Sequence, residues 1–322
     1  MALLIVLTLY MSTTQTSYSL LLYNTFLFAA IGVSGLNLSM GTAGLVSVGS
    51  AAFLCVGSFV SVAGDAAGLG FPWTVVLAVA ASAVFGGVFA LPSARLAALY
   101  FALSTLAGQA ILVGLAENYQ RSKVGDAGFV TTPVFSGHGI LGLQETWSWV
   151  LTLLLGIVLI GITRVRRGRA GRAWRLLRDH ELAAASVGIP VARWRIGAMM
   201  LSSAIIGTEG ALNYYFTGTT STSQYTLLLS IEFVAMLLVG GIDTAAGPIL
   251  GAAVIVLLPF WTKDVIASIA GTEFSAQHGA QVSQMIYGAL VMLAVVVARE
   301  GVEGLLKAGW TRARTALARR RR

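Results

Sequence analysis

Nine stretches of this chain are long and apolar enough to be read as membrane spans, and that repetition leaves few folds open. A helix needs about 20 mostly apolar residues to cross the hydrocarbon core of a bilayer. The runs Leu20–Leu38, Gly44–Gly64, Trp73–Pro92, Leu96–Ala116, Trp147–Thr163, Ile196–Phe216, Leu227–Ile242, Gly247–Thr262 and Ser283–Ala298 approach or meet that length. Met1–Tyr10 is a tenth, shorter candidate, followed by the polar run MSTTQTSYS and lacking the basic start of a signal peptide. With 57% hydrophobic and 11% charged residues, and a mean hydropathy of +0.82, the chain has more apolar surface than one soluble core can hide. The expected fold class is therefore all-α, a polytopic integral membrane protein with about nine or ten transmembrane helices.

The net charge of +8 would suggest nucleic acid in a soluble protein, but here its position matters more than its sum. Nine of the 21 Lys and Arg residues lie between Arg164 and Arg195, and eight between Arg299 and Arg322. Such blocks beside apolar spans mark the cytoplasmic side. The four spans between them return the chain to that side. Arg95 then falls at a cytoplasmic turn, and Glu117–Thr146 and Lys263–Val282, with His138 and His278, fall outside. No nucleic-acid partner is implied, whereas anionic lipid is a natural partner for both blocks.

Much of the glycine sits inside the spans, as in GVSGLNLSMGTAGLVSVGSAAF (Gly32–Phe53) and LLVGGIDTAAGPILGAAV (Leu237–Val254). Small residues let helices approach closely in lipid. Beside Asn37, Ser39, Thr42 and Ser47 they also permit a broken helix, tolerated at membrane depth where it is buried or lines a wet cavity. The two stretches share a loose spacing, Ala43, Gly44, Gly49 and Ala51 against Ala246, Gly247, Gly251 and Ala253, of the kind two transporter repeats would leave. Two carboxylates, Glu209 and Glu232, lie within or at the end of apolar runs, where an ionised group should face protein or water. Glu232 has the more uniformly apolar flanks and is the stronger path candidate, against an even chance of a purely structural partner.

Familiar enzyme chemistry is missing. The lysines Lys123, Lys263 and Lys307 follow no glycine-rich phosphate loop, His138, His180 and His278 are isolated, and no G-x-S-x-G elbow occurs. No cofactor, metal or catalytic residue is expected. Cys55 is the single cysteine, so no internal disulfide is possible.

Four stretches, in order, carry a resemblance: GLNLSMGTAGLVSVGSAAF (Gly35–Phe53), RLAALYFALSTLA (Arg95–Ala107), RAGRAWRLLRDHELAAASVGIPVARWRI (Arg169–Ile196) and LLLSIEFVAMLLVGGIDTAAGPILGAAVIVLLP (Leu227–Pro259). The chain resembles the permease subunits of branched-chain amino-acid ABC importers, of the LivM type, over about residues 20–300. It departs at Leu45 and Ser50, where the family often has glutamine and histidine, and KVGDAGF matches the family's outer-loop pattern only in part. The resemblance therefore implies the transport class and leaves the cargo open among branched-chain amino acids, urea, amides and related solutes.

What it implies is a non-enzymatic permease domain over residues 1–300, with a cytoplasmic coupling loop at about 164–195 and a basic cytoplasmic tail at 301–322, in a bacterial inner membrane. The implied partners are two cytoplasmic ABC ATPase subunits, a second related permease and an extracytoplasmic solute-binding protein. Asp179, Glu181, Ala184, Ala185, Gly188 and Ile189 would couple to the ATPase, and Asn37, Ser47 and Glu232 would line the translocation path. The local sequence suits a short helix at Glu181–Val187: strong helix formers, an acidic first turn, and Gly188 and Pro190 to end it. Arg172, Arg175 and Arg178 recur at i, i+3, i+6, a stripe better explained by anionic lipid than by docking. An ion- or proton-coupled secondary transporter using Glu209 and Glu232 is the alternative.

The charge map predicts that, in a Cys55→Ser background, an impermeant maleimide applied from outside labels Ser136→Cys but not Ala170→Cys; the reverse pattern would invert the topology.

Overall fold

The computed structural model describes residues 8–10, 17–93, 98–131, 143–257 and the isolated positions 282, 285, 288 and 289. Most of the expected span Ser283–Ala298, most of Met1–Tyr10, the end of Gly247–Thr262, the tail 301–322, His138 and His278 lie outside the described residues. The described chain is mainly helical, with one short strand pair and connecting turns. Its helices are α1 (Ser17–Leu36), α2 (Ser50–Ala66), α3 (Phe71–Ser93), α4 (Ala98–Val124), α5 (Leu143–Arg167), α6 (Arg169–Asp179), α7 (Glu181–Ser186), α8 (Val191–Thr217) and α9 (Leu227–Gly240). A tenth, α10, runs over Gly247–Leu257. β1 (Phe129–Val130) pairs antiparallel with β2 (Thr219–Thr220). Among the described residues, four helical segments are long and apolar enough to cross a membrane: Tyr18–Thr42, Phe71–Leu91, Tyr100–Val124 and Gln144–Arg167. The chain divides into two compact units, residues 1–234 and 235–322.

In the first unit α8 is the central helix, packed most extensively against α3, then α2, then α1. That position explains its composition. Ser202, Ser203 and Glu209 would be costly against lipid, but on α8 they are buried among neighbouring helices. Of the spanning segments, the apolar window of Tyr18–Thr42 is 78% buried against 33% for each of the other three, so α1 belongs to the interior. The others present apolar side chains outward, such as Val76 and Val84 on α3 and Leu103 and Leu115 on α4.

α1 runs antiparallel to α8. Near one end the rings of Phe28 and Phe216 lie 5.3 Å apart, with Trp147 of α5 closing the cluster. Near the other end, Ser202 Oγ donates to the Gly35 carbonyl at 2.7 Å. α2 approaches α8 more closely still. Ser58 Oγ donates to the Gly210 carbonyl at 2.7 Å, and a Cβ on Gly57 would collide with the backbone of Gly207. Contact of this kind replaces the hydrophobic driving force that lipid does not supply.

Two expected boundaries move. The span read from Gly44 begins as helix only at Ser50, so α2 has 17 residues and a rise of about 26 Å. The outer loop read from Glu117 begins after Val124, because helix-compatible residues with Arg121 and Lys123 in the last turn carry α4 further.

In the second unit, the end of α9 and α10 form a tight helical hairpin. Gly241 and Asp243 take positive φ in its turn, and Thr244 Oγ1 accepts the Gly247 N–H at 3.0 Å, capping α10. Gly247–Ala253 is thus helix, whereas Ala43–Gly49 is not; the two stretches aligned by spacing do not share a local structure.

Gly57→Leu should destabilise the bundle by about 1–3 kcal/mol or more, since the side chain meets backbone and not a side chain that can turn away. Loss of the monodisperse peak in detergent, with Gly114→Leu unaffected where a Cβ meets nothing, would check this.

Candidate functional site

The span beginning with α1 does not continue as regular helix. It widens into a π-helical turn over Asn37–Thr42 and then runs without regular structure from Ala43 to Gly49 before α2 begins. Gly44 supplies the reversal with φ +69°, a left-handed conformation that costs glycine little. Backbone released from a helix inside a membrane must find partners in the protein. Here it does. The Leu45 N–H donates to the Ser39 carbonyl at 2.9 Å, the Val48 N–H to Thr105 Oγ1 of α4 at 3.1 Å, and the Ala51 N–H to Ser230 Oγ of α9 at 2.9 Å. Ser230 in turn donates to Gln109 Oε1 of α4 at 2.8 Å, and Ser202 of α8 donates to Ser39 Oγ at 3.0 Å. Asn37, Ser39, Thr42 and Ser47 are all buried in this wrapping.

The same break meets the basic segment. Arg178, in the last turn of α6, donates from Nη1 to the Gly41 carbonyl, and its side chain packs on Gly44, where a Cβ would displace it. Its Nε also donates to Asp179 Oδ1 at 3.0 Å. The three arginines of the i, i+3, i+6 stripe are exposed, and each also donates to a backbone carbonyl. Arg175 donates to the carbonyl of Gly171 within α6 and to that of Arg166, and Arg172 to that of Arg167, the last two at the C-terminal end of α5 where cations are favoured.

Two further contacts tie these helices to α8. Trp174 Nε1 donates to the Trp194 carbonyl at 2.8 Å with the rings edge to face, and Arg195 Nη2 binds Glu181 Oε2 at 2.7 Å. α7 ends at Ser186, with Gly188 at φ +82° as the sequence required of a helix-ending glycine. Ala184 is fully buried and seats α7, so it offers a partner nothing directly. Ala185 is exposed and Ile189 half-buried. Leu182 is 87% and Val187 73% exposed, an apolar pair that charge and spacing did not single out.

The two intramembrane carboxylates separate. Glu209 is buried beside Gly32 of α1 and Phe233 of α9, and its Oε2 has no hydrogen-bond partner among the described residues. Glu232 is half-buried, one residue from the exposed Ile231. Uniformly apolar flanks identified Glu232, but such flanks fit a side facing lipid or a neighbouring subunit as well as an interior. Among the described residues, no group of three or more His, Cys, Asp or Glu could hold a metal ion.

A broken span, its backbone satisfied by hydroxyls from surrounding helices and gripped by an arginine of an adjoining basic helix, defines a membrane-embedded transport component. The chain belongs to the family described as the permease component of branched-chain amino acid transport systems, whose pattern it matches over residues 15–295. Among curated relatives it is 29% identical over 259 residues to the high-affinity branched-chain amino acid transport system permease protein LivM of Salmonella typhimurium (strain LT2), covering 72% of this chain and 60% of that one. It is 28% identical over the same length to the protein so described in Escherichia coli (strain K12), and 26% identical over 227 residues to the probable LivM of Methanocaldococcus jannaschii, covering 68% of this chain and 64% of that one. The chain thus spans under two thirds of the length of these relatives. No solved structure matches it significantly.

If Arg178 holds the break closed, Arg178→Ala should leave the Gly41 carbonyl without its charged donor, a loss of about 1.5–3 kcal/mol. Ser47, only 1% exposed, should then react faster with a small maleimide as Ser47→Cys in a Cys55→Ser background. An unchanged rate would show that other contacts hold the break.

Proposed function

We propose that the chain is a non-enzymatic permease subunit of an ABC importer for branched-chain or related amino acids, working in a bacterial inner membrane. A second related permease completes the path, two cytoplasmic ATPases drive it, and an extracytoplasmic binding protein loads it. Residues 1–300 act as one permease domain, and the tail 301–322 lies on the cytoplasmic lipid surface. The observation that carries the reading is the contact of Arg178 with Gly41, because it joins the helices best placed to meet an ATPase to the irregular backbone best placed to gate a path.

In this reading α7 is the docking piece. Leu182 and Val187 enter a groove of the ATPase, Asp179, Glu181 and Ala185 border it, and Gly188 and Ile189 set the angle at which the chain returns to α8. Ala184 seats α7 from beneath. Displacement of α7 then passes through Arg195 and Glu181 to α8, and through Arg178 to the break. Coupling needs such a two-ended element, biased by nucleotide at one end and by solute at the other. Asn37 and Ser47 at the break contribute to the path, and Glu232, half-buried here, faces the second permease.

Leu182→Glu and Gly188→Val should each leave the membrane-embedded bundle folded while the ATPase subunits are lost on purification, or are retained with hydrolysis no longer stimulated by solute. The first places a charge in an apolar contact, and the second puts a β-branched residue at φ +82°. Wild-type uptake with both variants, or uptake driven by a pH gradient without ATP, would overturn the ABC reading.

A further inference from the structure

Away from the break, at the end of the bundle opposite the basic helices, a cavity of about 390 Å³ opens between the ends of α2 and α4, strand β1 and α8. We propose that this cavity is a binding site for a small zwitterion with an apolar side chain, Asp65 taking its ammonium group and Lys123 its carboxylate. The proposal rests on the permease reading above and adds to it a site on the permease itself. The volume lies towards the lower end of the roughly 300–1,000 Å³ usual for small-ligand sites.

The two charges are available. Asp65 Oδ1 accepts the Tyr215 hydroxyl at 2.6 Å, Oδ2 accepts the Thr131 hydroxyl at 3.4 Å, and the Tyr214 hydroxyl also hydrogen-bonds this carboxylate; an ionised carboxylate accepts about four hydrogen bonds, so one position is left for a ligand's ammonium. Lys123 has no acidic partner among the described residues, and Arg121 on the same turn is already paired with Glu117 at 2.7 Å. Asp65 and Lys123 both line the cavity without forming an ion pair with each other, so a ligand carrying both charges can lie between them. A ligand carrying both charges engages both side chains, whereas a ligand with a single charge engages one.

The remaining walls suit an aliphatic group. Val62 and Phe129 line the cavity, and Phe129 is held by a stacked Tyr119 at 5.7 Å and an edge-on Phe59 at 5.9 Å. The strand that carries Phe129 is fixed by its pairing with β2 and by the Thr131 N–H donating to the Gly218 carbonyl at 2.9 Å. A preformed wall of this kind loses little entropy on binding.

The test uses the full chain in lipid nanodiscs with the subunits that co-purify, without binding protein, and measures retention of radiolabelled leucine. Saturable binding is expected, displaced by unlabelled leucine but not by isopentylamine or 4-methylpentanoate, which each lack one of the two charges. Asp65→Asn and Lys123→Gln should each weaken binding by about tenfold or more. Absence of saturable binding, equal displacement by the amine alone, or wild-type affinity in both variants would overturn the site; the competition series uses wild-type protein and does not depend on how the variants fold. Uptake by the complete importer, fed by its binding protein and ATP, is measured in parallel. If wild-type uptake of leucine is absent, the proposed function fails, whereas wild-type uptake together with failed binding removes this site alone. Binding abolished by a peptide of the binding protein but indifferent to free leucine would make the cavity a protein-docking pocket and also overturn the proposal.

Discussion

The structure depends on a single constraint: peptide groups freed from a helix inside a bilayer must be paired within the protein. Residues 43–49 are free of regular structure, yet the amides of Leu45, Val48 and Ala51 all have acceptors, and those acceptors come from the π-helical turn, α4 and α9. An unpaired buried amide would cost a few kcal/mol. Thr105, Gln109, Ser202 and Ser230 are therefore buried polar residues with a reason to be where they are. They also make the break dependent on several helices at once, so a shift of one helix alters the pairing of backbone that belongs to another.

α8 turns that dependence into a mechanical arrangement. One end carries Trp194 and Arg195, which hold α6 and α7, its middle contacts α1 and α2 through Ser202 and Gly210, and its far end places Tyr214 and Tyr215 beside Asp65. At 27 residues it reaches roughly 40 Å, long enough to join both faces of a membrane. Rigid elements of this length transmit displacement without a chain of small adjustments, because their interior hydrogen bonds resist bending far more than their contacts resist sliding. Close backbone contact at Gly57 and Gly207 packs α2 directly against α8.

The class of fold and the location of the break were legible before any coordinates, because lipid imposes a length on apolar runs and penalises polar residues inside them. Asn37, Ser39, Thr42 and Ser47 stood out for that reason, and all are buried. The direction of Arg178 was not legible: three arginines at helical spacing define a stripe, but what the stripe faces is set by Gly41 and Gly44, more than 130 residues away in the chain. The burial of Glu209 was not legible either, because it is set by the packing of α1, α2 and α3 on α8. The cavity at Asp65 depends on a strand of two residues paired across the bundle, a contact with no periodic signature.

The position of Glu209 sharpens what the break is asked to do. Its carboxyl sits against Gly32, one and a half turns before Asn37, and a side chain there would collide with it. An unsatisfied oxygen in such a place is a cost of a few kcal/mol unless the group is protonated or another arrangement of α1 gives it a partner. Movement of α1 relative to α8 would change what surrounds this oxygen and, through Ser202 and Gly35, what surrounds the break. In the proposed coupling, this cost at the centre of the bundle and the Arg178 contact at its edge would together set how readily the break yields to a push on α7.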